Sequence, residues 1–390
     1  MKKKLPYQVL LLIIIYIPNG CFLQTVNPIV GQCDTISINA KSPNELLMSS
    51  FIDEVTYIPL ETNQNSLLSA VDKLYVYENE IYILDKKQGA IVVFSENGKF
   101  KRKINRIGKG PGEYINISDF SIDTSNGLLL ISDTNTRKLH LYQTNGEFYK
   151  TYNSKTLNSF CELYDKRVIS YSDNNIYSEK YNLHVVDLES EKKIDYLPID
   201  VDLKDFQTRT GGQFMKNHMG QILFKEALGY NIYKFDSSGI KNYFFIDFGE
   251  YNLPDSYFKG ELDFNDLVYS LNDGKYAVYP TIFMETSEII FFRYQFGDYR
   301  YVVYDKLSEK LDHGYVIDDI NDLFFVSPIC INNNELYSTI EPTHILSTLN
   351  HLKTNSAFKQ RWLKIKNNET NSVLFNIIAN DNPIIIKYKL

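Results

Sequence analysis

The sequence predicts an all-β fold: a six-bladed β-propeller of four-stranded antiparallel blades, its ring closed by an N-terminal strand, with a small helical insertion in the last blade. Three observations predict it. The 390 residues include 30 Tyr and 24 Phe against one Trp, and aromatic side chains suit pleated, half-buried surfaces. From Val55 onward, short runs with period near two alternate with Gly, Asn and Asp, the pattern of strands and hairpins. The chain also repeats itself. Asp85 in Leu74–Asp85 (LYVYENEIYILD) aligns with Asp133 in Phe120–Asp133 (FSIDTSNGLLLISD), and Asn97-Gly98-Lys99-Phe100 aligns with Asn145-Gly146-Glu147-Phe148, both at an offset of 48 residues. A weaker copy, Tyr230–Ile240, places Gly239 93 residues after Gly146, near twice that period.

Taken from the start, residues 1–21 read as a signal peptide with a lipobox-like end. Lys2, Lys3 and Lys4 form a positive n-region, Val9 to Ile17 an apolar h-region, and Pro18-Asn19-Gly20 a break before Cys21. The apolar stretch is too short to span a bilayer. Pro18 occupies the position where a lipobox usually carries leucine, and Cys21 is the expected lipidation site, its acyl chains holding the protein to a membrane. Residues 22–50 read as a tether, a polar tract with Pro28, Gly31 and Pro43 and no sustained period. Residues 51–390 form the propeller, with blades expected at about 72–105, 118–153, 160–197, 213–248 and 277–316 and a split sixth from about 323.

The Asn-Gly pairs of the repeat, Asn97-Gly98 and Asn145-Gly146, are expected as type I′ turns between the third and fourth strands. Phe324–Ser338 supplies two strands of the last blade and Pro383–Leu390 a third. Val55–Leu60 has no partner in blade one, and pairing it as the outer strand of the last blade removes a free sheet edge. Between these parts lies the helical insertion, about 341–370, where Ile345, Leu349 and Leu352 follow a helical spacing behind Pro342.

Charge and cysteine content narrow the classes of function. A net charge of −7 without a long basic run argues against nucleic acid as a partner. Cys33, Cys161 and Cys330 form no CxxC pair, so buried free thiols are expected rather than a disulfide framework.

The Gly108-Lys109-Gly110-Pro111-Gly112-Glu113-Tyr114 element between the first two blades, the Ser95–Phe100 turn, Leu130–Asp133, Ile58–Thr62 and Asp381-Asn382-Pro383 together carry a resemblance. The chain resembles the six-bladed β-propeller lipoproteins of Bacteroidota, an NHL-like group of mostly unassigned function. The likeness covers residues 45 to 390 and implies fold and envelope location, with lipid anchoring to the outer membrane and a periplasmic face expected. It brings no catalytic residues with it.

Candidate ligand-binding residues come from the connections that enter successive blades, which lie on the face where propellers commonly bind ligands. Arg106, Glu113 and Tyr114 come from the glycine-rich loop, Arg209 and Gln213 from the entry to blade four, and Tyr276 and Tyr279 from the entry to blade five. Arg with several Tyr suits a sugar or a peptide, through stacking and bidentate hydrogen bonds. The alternative for the glycine-rich loop is purely structural, with Glu113 capping backbone amides and Tyr114 wedged between blades. GxSxG, HExxH and EF-hand patterns are absent. The expected function is an envelope-anchored binding or interaction module for a glycan, peptide or protein partner, with no metal residues expected and no catalytic residues assigned. The alternative is a metal-dependent hydrolase or lyase with its site in the central channel, for which calcium is the cofactor to consider.

Overall fold

In the computed structural model, the described residues are 29, 33–156, 160–200, 212–226, 228–254, 264–278 and 282–390. They form six antiparallel sheets in a ring, and the first strands of successive blades contact one another around its axis. Blade one runs Lys73–Tyr77, Glu80–Asp85, Ala90–Ser95 and Phe100–Ile104, and blade two Asp119–Asp123, Leu128–Asp133, Lys138–Gln143 and Phe148–Asn153. Blade three spans Phe160 to Pro198, blade four Phe214 to Asp247 and blade five Phe283 to Ile317. Both faces of each sheet are buried against a neighbour, which explains strands such as Ala90–Ser95 whose apolar residues run on without alternation.

Blade six joins the chain ends. Cys330–Asn332, Glu335–Ile340 and Ile384–Lys389 supply three strands, and Glu54–Pro59 pairs antiparallel with the last of them as the outer strand. Val55, Tyr57 and Ile58 are thereby buried. Phe324–Ile329 is irregular rather than a strand: Val326 N–H donates to the Tyr388 hydroxyl at 3.0 Å and its carbonyl accepts from Ser338 Oγ at 2.7 Å, so a side chain takes the place of a ladder partner. Helices Pro342–Thr354 and Lys359–Asn367, with short 3₁₀ turns, fill the insertion, and Ile345, Leu349 and Leu352 form its buried stripe. A further helix, Phe264–Asn272, connects blades four and five.

Part of the tract expected as a tether belongs to the ring. Asp34–Ser37 adds a fifth strand, parallel to the outer edge of blade four, and Asn44–Leu47 does the same on blade five. Gly314 permits the second pairing, because a Cβ there would lie 1.7 Å from the Asn44 carbonyl oxygen. Every strand among the described residues thus falls within Asp34–Lys389. Cys161 and Cys330 are buried free thiols, whereas Cys33 is exposed.

The Asn-Gly hairpins are not type I′ turns. Gly98 and Gly146 have φ of +80° and +93°, while Asn97 and Asn145 are not among the positive-φ residues, and the register shifts beside each turn. This is a type I turn followed by a glycine bulge. Consecutive positive φ values occur instead at Glu78-Asn79 and Asp165-Lys166, between first and second strands.

Candidate functional site

Residues from the inner strands of four blades converge at the axis. Lys73 Nζ donates to Asp119 Oδ1 at 2.9 Å and to Glu162 Oε1 at 3.0 Å. The second Glu162 oxygen accepts from the Tyr75 hydroxyl and from Ser121 Oγ. Lys216 Nζ donates to the carbonyls of Ile122 and Leu163 and lies 3.8 Å from Glu162 Oε2. Burial acts to raise the Glu162 carboxyl, but the Lys73 and Lys216 ammoniums and the two hydroxyl donors outweigh it and hold it below its usual range. Asp119 is raised, by burial and by the Glu162 charge, against the pull of Lys73. Two ammoniums facing two carboxylates leave no net charge, and only Lys73, 24% exposed along its side chain, has appreciable access to solvent.

A second polar site lies where the ring closes. A cleft of about 520 Å³ opens between blades six and one. Asn79, Glu96 and Asn97 line it from the hairpin turns of blade one, and Asn333, Glu335, Tyr337 and Lys387 from blade six. Lys387 Nζ donates to Glu335 Oε1 at 3.0 Å, and the Tyr337 hydroxyl donates to Glu335 Oε2 at 2.6 Å. Val76, Ile81 and Ile58 give it an apolar side. The volume suits a small polar molecule or the tip of a longer chain.

Among the described residues, those expected as ligand contacts do not come together. Tyr114 is buried between blades one and two, its hydroxyl accepting from Arg106 N–H and donating to the Gly89 carbonyl, each at 3.0 Å. Glu113 Oε2 accepts from Gly110 N–H at 2.7 Å, and the Tyr142 hydroxyl donates to the Gly112 carbonyl. Arg106 is exposed, with its guanidinium 3.5 Å from the Gly146 carbonyl. These contacts belong to the third and fourth strands of the two blades and their turns, away from the axis. Gln213 is buried at the entry to blade four, and half-buried Tyr276 stacks under Lys275. Arg209, Tyr279 and Cys21 lie outside the described residues.

One constellation carried no sequence signal. Ser172 Oγ lies 2.9 Å from His184 Nε2, and His184 Nδ1 lies 2.6 Å from Asp195 Oδ1, the connectivity of a nucleophile, a base and an orienting carboxylate. Ser172 and His184 are buried, Glu179 stands 3.7 Å from His184 Nε2, and Lys193 reaches both Glu179 and Asp195. The group closes on itself and clamps the strands of blade three. Among the described residues, no three His, Cys, Asp or Glu side chains gather as a metal-ligand set.

Beside Gln213, burial drives Lys225 from 10.5 down to about 7 and Glu226 from 4.5 up to about 7. Between about 7 and 10.5 the unfolded chain holds the Lys225 proton and the folded chain does not, so stability rises with pH there. Between 4.5 and about 7 the folded chain holds the Glu226 proton and the unfolded chain does not, so stability falls with pH. Urea unfolding across this range is expected to show Lys225→Met flattening the upper limb and Glu226→Gln the lower. Slopes unchanged by either variant would remove the assignment.

Residues 33–389 match the family described as "Domain of unknown function (DUF4934)". No curated protein matches the chain in sequence. Among solved structures, a candidate exported protein from Bacteroides fragilis NCTC 9343 superposes with a TM-score of 0.69 at 19% identity, covering 92% of this chain and 99% of that one. A member of the DUF4221 family from Bacteroides vulgatus reaches 0.49 at 12% identity, covering 87% and 96%. The first likeness agrees with the six-bladed ring, and with nearly the whole ring matched the chain belongs to the DUF4934 family.

Proposed function

We propose that this propeller is an envelope-anchored binding module that takes a polar ligand, a glycan or a peptide segment of a partner, in the cleft between blades six and one. The observation that carries it is the cleft itself, about 520 Å³ lined by side-chain amides, two carboxylates, a lysine and two tyrosines over an apolar side. Amides and carboxylates pair with hydroxyl and peptide groups, and aliphatic surface packs against the less polar faces of either ligand. Export and anchoring through Cys21 are supported by the leader's charge and apolar pattern.

Asn79 and Asn333 have φ of +60° and +53°, so Asn79→Gly and Asn333→Gly remove amides without straining the turns. A ligand recovered from glycan and peptide arrays is expected to lose about tenfold in affinity with each variant, roughly one hydrogen bond apiece, at unchanged melting temperature. A ligand indifferent to both would place binding elsewhere, and silence on both arrays would remove these ligand classes.

A further inference from the structure

We infer that the helical insertion of blade six is a membrane-docking surface that seats on anionic phospholipid headgroups. Between Pro342 and Asn368 the chain carries Lys353, Lys359, Arg361, Lys364 and Lys366 and no acidic residue, within a protein of net charge −7. Helix Lys359–Asn367 divides these residues by face. Ile365 is buried, Arg361 donates to the carbonyls of Asp322 and Leu323 at 2.6 and 2.5 Å, and Lys364 pairs with the Asp322 carboxylate, which fastens this side to the ring. The spacing of Lys359, Leu363 and Lys366 puts them on the other side, with half-buried Trp362 at its margin, packed against the core beneath the insertion.

Lys359 and Lys366 are exposed and form no ion pair among the described residues. Leu363 is 41% exposed, Phe375 38% and Ile378 63%, and the Trp362 ring packs edge-on against Phe375 at 5.7 Å. Apolar and aromatic side chains interleaved with lysines match the layering of a bilayer surface. Trp, Leu and Phe enter the headgroup–acyl boundary while lysine stems extend to phosphates.

Charge complementarity selects the lipid surface. A net-negative protein is repelled by an anionic leaflet over much of its area, and the acid-free insertion offers the opposite charge. The expected acylation site, Cys21, lies 8 residues before Ile29, which packs on blades three and four and accepts from Asn242, a reach of roughly 28 Å when extended. The acyl chain by itself does not set which side faces the membrane. The basic, aromatic insertion chooses it. The surface does not depend on the acyl chain, nor on what fills the cleft.

Trp362 is the single tryptophan of the chain, so its emission reports on the patch directly. Residues 22–390, which keep every described strand and leave out the expected leader, are mixed with phosphatidylglycerol–phosphatidylcholine vesicles and with phosphatidylcholine vesicles alone. Co-sedimentation and a blue-shifted, quencher-protected emission are expected only with the anionic vesicles, weakening as salt rises. Lys359→Glu with Lys366→Glu is expected to lower the partition at least twentyfold without changing the melting temperature, since each basic residue near such a surface contributes about fivefold. Three results would overturn the inference: unchanged emission with anionic vesicles at low salt, partition that survives the double variant, or an equal response to soluble poly-glutamate, which would assign the patch to an acidic protein.

Discussion

Glu162→Ala is expected to lower stability by about 3–5 kcal/mol, because it leaves the Lys73 and Lys216 ammoniums facing each other across the axis with one carboxylate between them. In thermal unfolding a chain of this size loses roughly 1.2 °C per kcal/mol, so a fall of about 4–6 °C is the expected reading. Glu162→Gln keeps an acceptor for Ser121 and Tyr75 but drops the charge, and should fall between the two. The sign of the pH effect follows from the depressed carboxyl: its contribution is complete above 4.5 and is lost as pH drops through its lower folded value. The gap between the native chain and Glu162→Gln should therefore narrow in acid. A loss below about 1 kcal/mol would mean that water reaches the axis and screens the cluster.

Gly98→Ala is expected to be the most damaging change in a turn. The residue has φ of +80°, and a Cβ there would lie 2.2 Å from the carbonyl oxygen of Pro59, the last residue of the closing strand. The same junction holds Glu61 N–H to the Gly98 carbonyl at 2.8 Å and Phe100 N–H to the Glu61 carboxylate at 3.1 Å. Gly146→Ala supplies the control: its φ is +93°, but the nearest atom to its Cβ is a side-chain carbon of Ile104 at 3.2 Å. Backbone strain alone should cost Gly146→Ala about 1–2 kcal/mol, and Gly98→Ala about 2 kcal/mol beyond that, with earlier proteolysis ahead of Leu60. Equal losses in the two turns would separate the hairpin from ring closure.

These two experiments concern parts of the chain that were unequally visible beforehand. The Asn-Gly turns repeat at a fixed interval, so each announces a blade, and the unpartnered Val55–Leu60 segment points to the closing strand because a ring leaves no edge. The type I′ assignment fails because glycine alone takes the positive φ, and the bulge that follows absorbs the extra residue. Asp34–Ser37 and Asn44–Leu47 have no hairpin partner and no repeat; only the exposed edges of blades four and five make them strands.

The GKGPGEY loop drew attention through its composition, and its Glu and Tyr turn out to be bonded to the loop's own backbone and to the two blades beside it. The helical stripe of the insertion was legible as a period. Its basic, aromatic outer face becomes a surface only once Ile365 and Arg361 are seen to point at the ring.

Period, turn chemistry and alternation are local, so blade number, blade order and the need for a closing strand follow from residues near one another in the chain. The axial cluster is of another kind. Lys73, Asp119, Glu162 and Lys216 are unremarkable members of four separate strands, and no spacing between them marks chemistry. The cleft likewise joins turns of blade one to strands near the C-terminus. Both exist because closure of the ring brings distant strands within side-chain reach, and that meeting was decided by the tertiary structure alone.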